Sequence, residues 1–145
     1  MKALVVHGPN LNLLGSRELA VYGPATLDEI NARIRSAAEE LGIELKGIHQ
    51  TQREGEIIEL LHAAIGDVDG ALLNPAAYSH TSRAIADAIR AVPYPVIEVH
   101  LSNIHAREEW RRLSVTAEAA LGVVAGFGAA SYVVALRALR EVIDR

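Results

Sequence analysis

The sequence predicts an α/β protein with a doubly wound, five-stranded parallel sheet and helices on both faces. Short, continuously apolar segments alternate with longer segments whose apolar residues recur at helical spacing. Half of the 145 residues are hydrophobic and 22% are charged, which is typical of one folded domain. Because strands that are apolar on both sides need helices above and below them, the alternation indicates a layered α/β fold.

Each element is predicted by a local pattern. Thr26 and Glu29 form a capping-box pattern at a helix start, and Gly42 stands where a left-handed residue would end that helix. The predicted helices cover residues 27–41, 54–65, 82–91 and 131–143. The predicted strands cover residues 4–6, 43–48, 71–73, 96–99 and 121–125. Five such units predict a flavodoxin-like fold with strand order 2-1-3-4-5, in one domain, 1–145, without linkers or repeats.

Composition excludes several classes of protein. The formal net charge of −4 argues against nucleic-acid binding, which needs a basic surface to neutralise phosphates. The chain has no Cys, so it has no disulfide framework, and we expect a cytoplasmic protein. Residues 119–136 carry no charge, but they are rich in Ala and interrupted by Gly122, Gly126 and Gly128. A buried strand, a glycine turn and a helix explain this segment better than a membrane span does.

Polar and titratable residues follow three of the predicted strands at the point where each strand ends. The carboxyl ends of parallel strands meet at one edge of the sheet, where α/β proteins bind their ligands. The segment from residue 8 to residue 23 is also longer than most connections, which favours a lid or a binding loop. These polar residues are Asn10, Asn12, Arg17 and Tyr22; then Asn74, Tyr78, Ser79 and His80; then Glu98, His100, Ser102, Asn103 and His105.

The same segments lack the motifs of several common sites. The loop after the first strand has no phosphate-binding glycine pattern, and the chain has no Gly-x-Ser-x-Gly nucleophile turn. The spacing of Glu98, His100 and His105 matches no strong metal-ligand motif, so we expect neither a metal nor a cofactor. A flavin- or nucleotide-binding module on this fold remains an alternative, although aromatic residues are few. A receiver domain would need an Asp where the chain has Asn74.

Three segments closely resemble the signatures of type II 3-dehydroquinate dehydratases. They are GPNLNLLG at 8–15 with Arg17, Glu18, Tyr22 and Gly23; NPAAYSHTS at 74–82; and EVHLSNIHAREE at 98–109. The resemblance spans essentially the whole chain, with the segments in the family's order and spacing. Three positions depart from it: Leu19 replaces a usual Pro, Gln52 a usual Asn, and Ala76 a common Gly. We expect Leu19 to change how the segment from residue 8 to residue 23 closes as a lid.

The resemblance implies loss of water from 3-dehydroquinate to give 3-dehydroshikimate, through an enolate and without metal or imine. Tyr22 matches the family's base, and Arg17 matches the arginine that favours its phenolate. His100 matches the acid that protonates the leaving hydroxyl. Glu98 lies two residues away on the same strand face, where it can accept a proton from the imidazole. Asn10 matches the residue that holds a water against the enolate oxygen.

The remaining site residues also follow from the resemblance. Substrate contacts are implied for Asn74, His80 and Arg111, and a carboxylate site for Leu101 and Ser102, whose amides we expect at a helix start. Asp87 matches a position that reaches a neighbouring subunit's site, in a dodecamer built from trimers. Taken alone, Asp87 could equally be an exposed helix carboxylate, and Arg107, beside Glu108 and Glu109, could be a solvated helix residue. Imine chemistry is disfavoured independently, because the only lysines, Lys2 and Lys46, follow no strand end.

Overall fold

The computed structural model describes all residues from Met1 to Arg145. The five strands form one parallel sheet with the order β2-β1-β3-β4-β5, as the sequence predicts. The strands are β1 Lys2–His7, β2 Glu44–Gln50, β3 Gly70–Asn74, β4 Val96–His100 and β5 Gly122–Ala125. The helices are α1 Leu19–Tyr22, α2 Leu27–Glu40, α3 Glu54–Ala63, α4 Arg83–Ala91 and α5 Ala130–Ile143.

Two hydrophobic cores cover the two faces of the sheet. Successive side chains of a strand point to opposite faces, so Ala3 and Val5 of β1 face one core while Leu4 and Val6 face the other. The first core packs the sheet against α2 and α5, and the second packs it against α3 and α4. This two-sided burial explains why the central strands are continuously apolar.

The helix-terminus signals in the sequence are present in the structure. The Thr26 hydroxyl accepts a hydrogen bond from the Glu29 amide at 3.2 Å, and the Ser82 hydroxyl accepts one from the Ile85 amide at 3.0 Å. Gly42 follows α2 with a φ of +65°, a conformation that glycine adopts without strain. None of the helices is both long and apolar enough to cross a membrane.

Two segments differ from their predictions. We expected β5 to be buried, but it is the edge strand of the sheet, and Val123 is 46% exposed. The segment from residue 8 to residue 23 is more ordered than the predicted loop, because it contains a 3-10 turn at Leu11–Leu13 and the short helix α1. Glu18 and Asn10, which precede these two elements, both have positive φ angles.

Candidate active site

The carboxyl ends of β1, β3 and β4 converge on a polar pocket, at the edge of the sheet that the sequence predicts. Residues from the loop after β1, the turn after β3 and the segment after β4 all line this pocket. It therefore brings together nine of the eleven predicted site residues: Asn10, Arg17, Tyr22, Asn74, His80, His100, Leu101, Ser102 and Arg111.

Two guanidinium groups contact the hydroxyl of Tyr22, which is the last residue of α1. The Arg17 Nη2 lies 3.3 Å from the Tyr22 oxygen, and the Arg107 Nη1 lies 3.0 Å from it. Both guanidinium groups also lie over the tyrosine ring, at 4.5 Å and 5.1 Å from its centroid. Two cationic side chains therefore donate hydrogen bonds to one phenol oxygen.

Arg107 is the principal residue that the sequence interpretation missed. Its side chain is only 11% exposed, which excludes a freely solvated position. Besides Tyr22, it donates a hydrogen bond to the Ser102 hydroxyl at 3.3 Å and lies 3.9 Å from the exposed Glu18 carboxylate. Arg107 thus connects α1 to the segment that follows β4.

His100 and Glu98 form a buried pair at the end of β4. The His100 Nε2 lies 2.9 Å from a Glu98 carboxylate oxygen, as their shared strand face predicts. The carboxylate itself is fully buried and accepts hydrogen bonds from the hydroxyls of Ser114, at 2.7 Å, and Thr116. Because an ionised carboxylate can only accept, His100 donates from Nε2 and has Nδ1 available to the pocket.

Asn10 is held in place by Gln52, one of the three departures from the family pattern. Asn10 has a φ of 69°, and its backbone amide donates to the Gln52 Oε1 at 2.7 Å. The Gln52 Nε2 donates in turn to the Asn12 side-chain oxygen at 2.8 Å. The side-chain amide of Asn10 makes no hydrogen bond within the chain, so it is available to a ligand or a water.

His80 and Arg111 line the other side of the site, beside Trp110. The His80 Nδ1 donates to the Leu113 carbonyl at 2.7 Å, and burial lowers the pKa of His80. In a neutral His80 the Nε2 is an acceptor, and the Ser79 hydroxyl lies 3.3 Å from it. The Arg111 guanidinium lies 4.1 Å from the centroid of the Trp110 ring and forms an ion pair with Glu108.

Leu101 and Ser102 follow β4 with unpaired backbone amides. Neither N–H group donates to another group of the chain, and both residues line the pocket. The expected helix start is not present here, because only a three-residue 3-10 turn, Ile104–Ala106, follows. Two free N–H groups and the Ser102 hydroxyl nevertheless form a set of donors that suits an anion.

Of the two predicted site residues that do not line this pocket, Glu98 contacts the pocket residue His100, whereas Asp87 contacts no residue of the pocket. It projects from α4, its side chain is 82% exposed, and its carboxylate lies 3.5 Å from Arg90. Its predicted role requires a second subunit and stays a prediction. His105 is exposed and bonds no carboxylate, and no group of three or more His, Asp or Glu side chains is placed to hold a metal ion.

Sequence and structure comparisons identify the family. The model of the family described as dehydroquinase class II matches residues 1–140. The chain belongs to this family. A 3-dehydroquinate dehydratase of Geotalea daltonii is 54% identical over the full length of both chains. One of Desulforudis audaxviator is 52% identical over all of this chain and 96% of its own length. Class II dehydroquinases are hydro-lyases, so this chain is an enzyme of that type.

Solved structures of class II dehydroquinases have the same fold. The type II dehydroquinase of Butyrivibrio crossotus superposes with a TM-score of 0.93 at 40% identity, covering 96% of this chain and 97% of its own. That of Propionibacterium acnes gives a TM-score of 0.91 at 42% identity, covering 97% and 96%. The flavodoxin-like strand order of this chain is therefore the order of its family.

Proposed function

We propose that this class II dehydroquinase converts 3-dehydroquinate to 3-dehydroshikimate by acid–base elimination, without a metal or an imine. One observation carries the proposal. A phenol contacted by two guanidinium groups shares a pocket with an imidazole that a buried carboxylate holds. Dehydration next to a ketone needs a base for an acidic C–H and an acid for the departing hydroxyl, and these two groups supply that pair.

In the first step, the Tyr22 phenolate removes a proton from the carbon next to the ketone. The C–H electron pair becomes the enolate, and the negative charge moves from the phenolate to the substrate oxygen. Asn10, whose side-chain amide is free, stabilises that oxygen through a bound water. Arg17 and Arg107 donate hydrogen bonds to the Tyr22 oxygen and orient it before the step.

In the second step, the enolate reforms the ketone and expels the hydroxyl from the neighbouring carbon. The His100 imidazolium donates its proton as the C–O bond breaks, so that water leaves and a conjugated enone remains. Glu98 accepts a hydrogen bond from His100 and orients its ring, and Ser114 and Thr116 hold the carboxylate in place by donating to it. Exchange with solvent returns the proton from Tyr22 to His100 between turnovers.

The substrate is bound by the remaining polar residues of the pocket. The amides of Leu101 and Ser102 and the Ser102 hydroxyl bind the carboxylate, while Asn74, His80 and Arg111 bind ring hydroxyls. Neither lysine lines the pocket. A hydrogen bond from Lys46 to Asp67 raises the pKa of Lys46, which opposes the neutral amine that an imine requires.

We further propose that the chain acts as one cytoplasmic catalytic domain, 1–145, that assembles into trimers and dodecamers, in the shikimate pathway or in quinate breakdown. Large apolar side chains on the surface, including Trp110, Leu113 and Phe127 at 53%, 59% and 66% exposure, are suited to burial between subunits. The unpaired edge of β5 adds a further surface of this kind. Asp87 would then lie against the site of a neighbouring subunit.

Ultraviolet absorption of the enone tests the proposal directly. Purified protein and 3-dehydroquinate should produce the absorbance of 3-dehydroshikimate. The rate should be unchanged by EDTA, because no metal takes part, and by borohydride treatment in the presence of substrate, because no imine forms. Loss of activity with EDTA that a divalent ion restores would contradict the metal-free mechanism. Covalent trapping on Lys2 or Lys46 would contradict the imine-free one.

A further inference from the structure

A chain of buried hydrogen bonds runs behind the pocket from Asn74 to Asn31. The Asn74 Nδ2 lies 3.0 Å from the Tyr132 hydroxyl, which lies 2.8 Å from the His7 Nδ1. The His7 Nε2 lies 2.8 Å from the Asn31 Oδ1. His7 and Tyr132 are almost completely buried, and neither lines the pocket. These hydrogen bonds thus connect β1, α2 and α5 to Asn74, the pocket residue at the end of β3.

The direction of every bond in this chain follows from one backbone amide. The Ala76 N–H, which can only donate, lies 3.0 Å from the Asn74 Oδ1, so the side-chain oxygen of Asn74 must be the acceptor there. The Asn74 Nδ2 therefore donates to the Tyr132 oxygen. The Tyr132 hydrogen must then point to His7, whose Nδ1 is the acceptor and whose Nε2–H donates to Asn31.

The ionisation of both central residues agrees with these directions. Burial lowers the pKa of His7 to about 4, so the neutral tautomer is present at neutral pH. Burial also raises the pKa of Tyr132, so its hydroxyl keeps its hydrogen. The other N–H of the Asn74 side chain has no hydrogen-bond partner within the protein, and Asn74 lines the pocket.

We propose that Tyr132, His7 and Asn31 are positioning residues that hold the Asn74 amide with a free N–H facing the pocket, where it donates to a substrate oxygen. The inference rests on the proposed function of this pocket and deepens it. An asparagine amide can rotate to present either its oxygen or its nitrogen, and the buried chain removes that choice before the substrate arrives. Asn74 then selects an oxygen that accepts a hydrogen bond, such as a ring hydroxyl.

Tyrosine-to-phenylalanine variants separate positioning from general stability. Tyr132→Phe removes the hydroxyl that fixes Asn74, so KM for 3-dehydroquinate should rise about 3- to 10-fold while kcat changes by less than about twofold. Tyr94→Phe is the matched control, because Tyr94 is also buried and its hydroxyl donates only to the Leu61 carbonyl, at 2.5 Å. It should lower the melting temperature without changing KM. A wild-type KM for folded Tyr132→Phe overturns the proposal.

Two substitutions of His7 give a second test that does not depend on Tyr132→Phe folding. An Asn side chain places an amide group near the Nδ1 position of His, and a Gln side chain places one near the Nε2 position. His7→Asn can still accept from Tyr132 and should keep a KM near the wild-type value. His7→Gln can bond only Asn31 and should show the raised KM. Equal KM values for the two variants overturn the proposal.

Coupling to Asn74 and a crystal structure complete the test. Asn74→Ala should raise KM less in the Tyr132→Phe background than in the wild type, and full additivity overturns the proposal. In crystals of His7→Gln, the Asn74 side chain should leave its position against the Ala76 amide or occupy two orientations. This last observation needs no turnover. If the wild type does not convert 3-dehydroquinate, the proposed function fails. The crystal structure still decides whether the hydrogen bonds through Tyr132 and His7 orient Asn74.

Discussion

At the scale of single residues, groups of opposite charge contact Tyr22 and His100. Two arginines donate to the Tyr22 hydroxyl, whereas a buried carboxylate accepts from His100. This contrast in contacts is the reason that we propose Tyr22 as the base and His100 as the acid.

Replacing Arg107 should reduce turnover as strongly as removing a catalytic base. Arg107→Ala deletes the closer of the two cations at the Tyr22 hydroxyl, so the proposed base loses a hydrogen-bond donor and kcat should fall by about 100-fold or more. Arg112→Ala is the matched control, because Arg112 is exposed and forms no ion pair. Steady-state kinetics check both variants. Near-normal turnover of Arg107→Ala would remove this residue from the mechanism.

The sequence predicted the chemical groups of the site better than their contacts. Nine of the predicted residues do line the pocket, because the ends of parallel strands converge. Arg107 was not among them, since the adjacent Glu108 and Glu109 left a solvated helix residue as an open interpretation. The structure pairs it with Tyr22, 85 positions earlier in the chain. No local pattern encodes a contact at that separation.

At the scale of elements, every predicted strand and regular helix is present with ends that differ by at most two residues. Caps, glycines and apolar spacing are local signals, so these elements were readable from the sequence. The ordered structure of the segment from residue 8 to residue 23 could not be predicted in this way. It depends on contacts with Gln52 and Arg107, which belong to other parts of the chain. β5 is exposed because it lies at an edge of the sheet. An apolar strand pattern does not show which strand will take an edge position.

The 3-10 turn after β3 should become more stable when its first residue is glycine. Ala76 has a φ of 52°, which costs an L-residue about 1–2 kcal/mol, while glycine loses about 0.5–1 kcal/mol in backbone entropy. Ala76→Gly should therefore raise the free energy of unfolding by about 0.5–1 kcal/mol. Ala77→Gly, at the next position of the turn and without a positive φ, should lower it. Urea titration measures both, and destabilisation by Ala76→Gly would contradict this account of the strain.

At the scale of the whole molecule, the sheet separates two aliphatic cores and places the polar groups at one of its edges. His7 lies fully buried beneath the pocket between β1, α2 and α5. Its neutral form satisfies the bonds to Tyr132 and Asn31, and its charged form cannot. The stability of the fold is therefore linked to pH through this residue.

His7 should make the protein less stable between pH 6.5 and pH 4. Burial lowers the folded-state pKa of His7 from 6.5 to about 4, so in this window the unfolded chain binds a proton that the folded chain does not. The unfolding free energy should fall by up to about 3 kcal/mol as pH falls through the window, with no further contribution from His7 below it. Urea titrations at fixed protein concentration measure this slope.

His7→Asn should flatten that pH dependence, because the variant has no imidazole to protonate. His62→Asn is the control, since His62 is exposed on α3, and it should leave the slope unchanged. An unchanged slope in His7→Asn would mean that other groups account for the acid sensitivity.

Solvent exchange of the substrate's acidic proton tests most directly the division of work between Tyr22 and His100. In deuterated water, NMR follows loss of the proton next to the ketone separately from formation of the enone. Tyr22→Phe should lose exchange and product formation together, each by about 100-fold or more. His100→Ala should still exchange the proton while forming little product, because the enolate forms before the hydroxyl leaves. Equal loss of exchange in both variants would contradict an acid that acts only in the second step.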